Sequence, residues 1–166
     1  MEQPCKSCYT YGKQARRLKS LQEEHSAVLP KYEYIEHTAD LGFRAYGTSP
    51  ELLFANAAEA LFEVLVSLET IRPKEERIVE VEAPGFDTLM VSWLSELLYL
   101  FDTEGLLLKL FEIKRIEEDY LRATVCGEFM DQARHEIRTG IKAVTYHKLY
   151  VRKNDGMWET QVIVDL

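Results

Sequence analysis

No apolar run in this sequence reaches the roughly 20 residues a membrane helix needs. The N-terminus is polar and basic without an apolar core region, so no secretory signal is read there. Cysteine is scarce, with three in 166 residues. Cys5 and Cys8 form a lone C-x-x-C, Cys126 stands by itself in a strand pattern, and no further ligands lie at the spacing a zinc site requires. Ordinary reduced thiols in a cytoplasmic protein are the expectation. The phosphate-cradling G-x-x-x-x-G-K-[ST], the dinucleotide G-x-G-x-x-G and the nucleophile-bearing G-x-S-x-G are all missing. Positive charge is in deficit too: 20 basic against 28 acidic residues leave a formal charge of -8. Such a surface repels phosphate backbones, which disfavours a stand-alone nucleic-acid binder, and suits a cation or a basic groove on a partner protein. There is no internal repeat and no low-complexity tract.

What is present is an ordinary globular balance, 46% hydrophobic and 29% charged, in a length that fits one domain with an appendage. Residues 1–30 differ from the rest. Lys6, Lys13, Arg16, Arg17 and Lys19 against Glu2, Glu23 and Glu24 give 5 − 3 = +2, which leaves −8 − 2 = −10 for the remainder. Their apolar content is thin, and they are expected to form a flexible extension ending near Pro30, with the domain running over 31–166.

Tyr32, Tyr34 and Ile35 predict a first strand ending near His37. Phe43 to Tyr46 predicts a second, closed by Gly47. Ser49-Pro50-Glu51 is a helix start, with a capping hydroxyl, a proline at the first helical position and an acid at the positive end of the dipole. Leu53, Ala57, Ala60, Leu61, Val64 and Leu65 then recur at helical spacing up to about Val66. Arg77 to Ala83 alternates as a strand. After the Pro84-Gly85 turn, Asp87 is expected to cap a second helix through Phe101, with Met90, Trp93, Leu94, Leu97 and Leu98 on its apolar face. Glu96 falls at the boundary of that face. Leu106–Glu117, Tyr120–Phe129 and Ile137–Val151 read as strands, and Asn154-Asp155-Gly156 as the turn into a last strand in which Trp158, Thr160, Val162 and Val164 share a face. The expected class is α+β, with two main helices packed on a largely antiparallel β-sheet.

Three segments could carry chemistry. In the loop His37-Thr38-Ala39-Asp40-Leu41-Gly42, Gly42 gives the backbone freedom and Asp40 is presented between two strands; a plain turn with Asp40 bonded to nearby amides is the ordinary alternative. In Val162-Ile163-Val164-Asp165-Leu166 a strand leads directly to the α-carboxylate of Leu166, with Asp165 one residue away and no Lys or Arg from Trp158 onward to neutralise them. Like charges held together repel unless a cation or a basic partner compensates. Asp40, Asp165 and Leu166 could then converge as hard oxygen donors for Ca²⁺, with Mg²⁺ or Mn²⁺ as alternatives, if the first and last strands are neighbours. A frayed, solvated terminus is the competing picture. In Gly140-Ile141-Lys142-Ala143-Val144-Thr145-Tyr146-His147, Lys142 and His147 are candidate contacts to a partner or nucleotide, against the simpler view of exposed residues on a strand. No Ser or Cys is placed beside His147 as a nucleophile, so no catalytic residue is assigned.

Taken together, His37-Thr38-Ala39-Asp40-x-Gly42, Trp93-Leu94-x-Glu96-Leu97-Leu98, Ile141-Lys142-Ala143-Val144-Thr145-Tyr146-His147 and the final Val162-Ile163-Val164-Asp165-Leu166 resemble the archease family in order and spacing across residues 31 to 166. The resemblance implies a compact α+β fold and a Ca²⁺-type site at Asp40, Asp165 and Leu166. It also implies a cytoplasmic protein that is not an enzyme but a partner of RtcB-type RNA ligases, promoting their guanylylation and multiple turnover in tRNA splicing or RNA repair. RNA would be met only through the ligase. Lys142, His37 and His147 carry over less directly. The stretch before Lys31 has no counterpart in the family pattern. Two other readings stay open: a small metal-dependent phosphoester or nucleotide hydrolase using Asp40, Asp165, His37 and His147, and a chaperone-like interaction protein without metal.

Overall fold

A computed structural model of the chain describes residues 29–36 and 41–166. The elements are β1 (Tyr32–Glu36), β2 (Leu41–Gly47), α1 (Pro50–Leu65), a short 3₁₀ turn (Leu68–Thr70), β3 (Glu75–Glu82), α2 (Phe86–Glu104), β4 (Leu106–Ile116), β5 (Tyr120–Phe129), β6 (Ala143–Asn154) and β7 (Met157–Asp165). The expected extension over 1–30, with Cys5 and Cys8, lies outside the described residues apart from its last two positions.

Helix α1 begins as its sequence dictates. Ser49 is extended and its hydroxyl accepts from the Leu52 amide, Pro50 occupies the first helical position, and Leu53, Ala57, Ala60, Leu61, Val64 and Leu65 are all buried. Helix α2 departs from expectation at its start. Asp87 is not the cap: Gly85, at φ 84°, turns the chain into the helix, and the Asp87 carboxylate instead accepts from the Val151 amide of β6 at 2.6 Å. A cap forms locally, whereas this acid is taken up by a strand 64 residues away. Gly105 ends α2 in the left-handed conformation, with its N–H returned to the last turn.

All strand pairs are antiparallel, but the strands divide into two sheets, β1-β2-β7-β6 and β3-β5-β4. Helix α1 packs against β2 and β4, and α2 against β6, β3 and β4, so the core closes between both sheets and the helix pair. Trp93 is fully buried there and donates its indole N–H to the Phe54 carbonyl of α1 at 3.0 Å. Burying an indole of this size is worth about 4 kcal/mol, and its one polar atom is satisfied.

In the four-stranded sheet the alternation holds. Phe43, Ala45, Thr160, Val162, Val164 and Val144 are buried, and the register sets Phe43 opposite Val162 and both Leu41 and Val144 opposite Val164. Ile163, on the other face, is buried as well, lying across Gly42, where an added Cβ would meet its Cδ1 at 2.6 Å. The turn Asp155-Gly156 has φ 48° and φ 79°, the paired positive values of a two-residue hairpin loop. The expected strand from Ile137 begins instead at Ala143. Ile137 makes only an isolated bridge to Val66, because the Arg138 amide is drawn to the Leu65 carbonyl at the end of α1.

Gly127 of β5 faces the Leu107 carbonyl so closely that a Cβ would lie 1.9 Å from its oxygen. Gly127→Ala is therefore expected to destabilise the fold by about 2–3 kcal/mol, the usual cost of forced overpacking, read as a lower urea midpoint. Gly140→Ala, with open space around it, should leave the midpoint within experimental error.

Candidate functional site

The last strand does not lie at an edge. Strand β7 sits between β2 and β6, and its C-terminal end is held from both sides: Leu41 and Val144 are opposite Val164, and Ala143 is opposite Asp165. The Lys142 amide donates to the Asp165 carbonyl at 2.8 Å, which extends the ladder one residue beyond β6. The Lys142 ammonium then donates to the main-chain oxygen of Leu166 at 2.6 Å. A cation missing from the final stretch of sequence is thus supplied from a segment 24 residues earlier. The Asp165 carboxylate is exposed and makes no ion pair or side-chain hydrogen bond among the described residues. Leu166 is 40% exposed.

His37 and Asp40 fall outside the described residues. Asp40 precedes Leu41 by one peptide bond, and Leu41 begins β2 opposite Val164. His147 is carried elsewhere. The β6–β7 register breaks between Thr145 and Tyr150, so four residues, Tyr146 to Leu149, bulge from β6 against Val162 alone. The Thr145 hydroxyl donates to the Ile163 carbonyl at 2.9 Å and accepts from the His147 amide at 3.3 Å, and the Gln161 side chain donates to the Lys148 carbonyl. Lys148 sits at φ 52°, a conformation unusual for a residue with a Cβ. Among the described residues no bond joins His147 to Lys142, Asp165 or Leu166. Nor do three His, Cys, Asp or Glu side chains gather there in a way that could hold a metal ion. The donors that this end of the fold does offer, the Asp165 carboxylate and the Leu166 oxygen, are hard oxygens of the kind Ca²⁺ and Mg²⁺ prefer.

The pattern of the Archease protein family (MTH1598/TM1083) matches residues 32–166. The chain belongs to the archease family. Protein archease of Methanosarcina mazei is 42% identical over 140 residues, covering 82% of this chain and 96% of that one. Protein archease of Pyrococcus abyssi is 41% identical over 142 residues, covering 83% and 100%. Among solved structures, Methanobacterium thermoautotrophicum protein 1598 is 40% identical and superposes with a TM-score of 0.73 over 82% of this chain and 99% of that one. A Thermotoga maritima archease, described as a possible chaperone, is 26% identical with a TM-score of 0.55, covering 86% and 100%. The two helices and antiparallel strands expected from sequence are therefore those of the archease fold.

Sequence reasoning missed a buried polar node in this archease-family chain. Glu128, at the end of β5, and His135 are each only 4% exposed. One Glu128 oxygen accepts from the Arg72 amide at 2.6 Å and lies 3.1 Å from His135 Nε2; the other accepts from Arg134 at 2.7 Å. His135 Nδ1 accepts from the Asp131 amide at 3.0 Å, so the proton sits on Nε2 and points at Glu128. Burial pushes the Glu128 carboxyl up, but the hydrogen bonds from Arg134 and the Arg72 amide, with the charge of Arg134, outweigh it and hold the group below its ordinary value. The node ties down the irregular segment 130–142 that delivers Lys142. The only signal in sequence was a carboxylate inside a strand pattern followed by Arg134-His135, which does not reveal burial.

A carboxyl with a lower value folded than unfolded contributes stability above its unfolded value, near 4.5, and loses that contribution as the pH falls through the folded value. Glu128→Gln should therefore cost about 3 kcal/mol at neutral pH, with the gap to wild type closing under acid. Urea unfolding of both proteins in neutral and acidic buffer measures this; a gap independent of pH would mean that the ionised carboxylate is not what stabilises the node.

Proposed function

We propose that this chain is a metal-tipped accessory protein that activates an RtcB-type RNA ligase, promoting guanylylation and repeated turnover in tRNA splicing or RNA repair without forming the RNA bond itself. One observation carries the reading. Strand β7 is clamped on both sides, so the Asp165 carboxylate and the Leu166 oxygen are presented at a fixed, exposed end beside the start of β2, one peptide bond from Asp40. Family membership supports the same assignment.

Asp40, Asp165 and Leu166 would hold the ion, and Ca²⁺ suits their oxygen donors best. A divalent ion there would bring two positive charges to an otherwise anionic tip. Lys142 fixes the Leu166 oxygen and leaves the Asp165 carboxylate free to turn outward. On the ligase, an RNA- and nucleotide-binding groove is necessarily basic, so a chain that stays strongly acidic even with the ion bound is steered to it, and binding preferentially to the guanylylation-competent state raises the rate. Among the described residues the hydrolase alternative, which needs a histidine beside the carboxylates, gains no support: His147 is exposed on the bulge and makes no bond to the tip, and its other histidine, His37, lies outside them.

Single-turnover guanylylation of the cognate ligase tests the proposal. Trace amounts of the wild-type protein should accelerate it, and Asp40→Ala, Asp165→Ala or a calcium chelator should return the rate to that of the ligase alone. Calcium titration should show an affinity loss in both variants of at least the roughly 10–100-fold typical of losing a supporting group. Variants that stimulate as well as wild type would remove the acidic tip from the function.

A further inference from the structure

A groove of about 190 Å³ runs between the C-terminal half of α2 and the start of β6. Its lining passes from buried Leu98 and Val144 to exposed Tyr99, Asp102 and Lys142, with Ser95 at one end. Ser95, Leu98, Tyr99 and Asp102 follow one another at helical spacing, so they form one stripe of α2. Lys142 joins the groove to the tip, because the same ammonium bonds the Leu166 oxygen.

Two features of the stripe run against what a helix by itself would favour. Tyr99 is 60% exposed, an aromatic ring left in water on a helix whose other large apolar residues are largely buried. Asp102 lies in the last turn, where the helix dipole already places negative charge, and that turn contains no basic residue. Its neighbour Glu104 is answered by Arg77 at 3.0 Å, but Asp102 has no ion pair or hydrogen bond among the described residues. Lys142, the cation lining the groove, is turned to Leu166 instead. The groove therefore offers an uncompensated carboxylate, an exposed ring face and an apolar floor. That combination fits a planar cation on an alkyl stem: the guanidinium can bond the carboxylate and lie over the ring while the stem covers Leu98 and Val144.

We propose that this groove receives an arginine side chain of the partner polypeptide and so extends docking from the tip along α2. The inference rests on the ligase-activator reading, in which that polypeptide is the ligase. Its role is affinity, while stimulation belongs to the tip, and the two separate experimentally. Binding of the full chain to the cognate RtcB-type ligase is measured by titration calorimetry, and guanylylation is followed at saturating accessory protein. Asp102→Asn combined with Tyr99→Ala should raise the Kd about tenfold or more and leave the saturated rate unchanged. Asp102→Arg should weaken binding further, and Tyr99→Phe, which keeps the ring, should bind as wild type does. Thermal melts check that these exposed substitutions leave the fold intact. If the double variant binds with wild-type Kd while Asp165→Ala abolishes stimulation, the groove inference is overturned and the activator reading survives. If the wild-type chain neither binds nor stimulates the ligase, both fall together.

Discussion

The placement of β7 between β2 and β6 is the constraint on which the rest of this structure depends. A strand at the end of a chain frays when it has a neighbour on only one side, because its outer N–H and C=O groups exchange bonds with water at little cost. Here both edges of β7 are paired almost to its last residue, and the Lys142 amide closes the ladder at Asp165. Beneath it, Val162 and Val164 are locked into the core with Phe43 and Val144. The exposed end of β7 is thus rigid for the same reason that the sheet is.

Rigidity at that end raises an electrostatic problem and meets it economically. The Asp165 carboxylate and the Leu166 oxygen stand together where β7 stops, in a chain whose formal charge is already -8. Lys142 answers one of them and leaves the Asp165 carboxylate facing solvent. A site with one internal cation and spare anionic oxygens is neither neutral nor saturated, which is what a tip needs in order to take a further cation or enter a basic groove. In the proposed reading that residual charge drives the encounter with the ligase.

The segment that supplies Lys142 is irregular, and its position is set at a distance. Glu128 gathers the Arg72 amide, Arg134 and His135, and Arg138 bonds the end of α1 through Leu65 and Glu63. From there the chain enters β6 at Ala143 with Lys142 aimed at Leu166. Helix α2 is tied to the same strand through Asp87 and the Val151 amide. The groove along Tyr99 and Asp102 and the tip are therefore parts of one fixed surface that meet at Lys142, and a partner that engages one is brought close to the other.

Sequence alone determined the local elements, because their causes are local. Ser49-Pro50-Glu51 starts α1, the 3.6-residue recurrence of Leu and Ala buries one face, Asp155-Gly156 supplies two positive φ angles, and the alternation in Phe43–Ala45 and Thr160–Val164 marks the inward side of the sheet. The resemblance of four short segments to one family, which the family comparison bears out, was legible for the same reason: motifs are read along the chain. Tertiary structure decided everything that depends on which distant segments meet. It divided the strands into two sheets, drew Asp87 from its own helix to β6, started β6 at Ala143, lifted His147 onto a bulge, buried Glu128 against His135 and brought Lys142 to Leu166. Each of these is a hydrogen bond or pairing, or a break in one, that forms only in the folded chain. Its energy depends on burial and register, and neither quantity exists until the whole chain has folded.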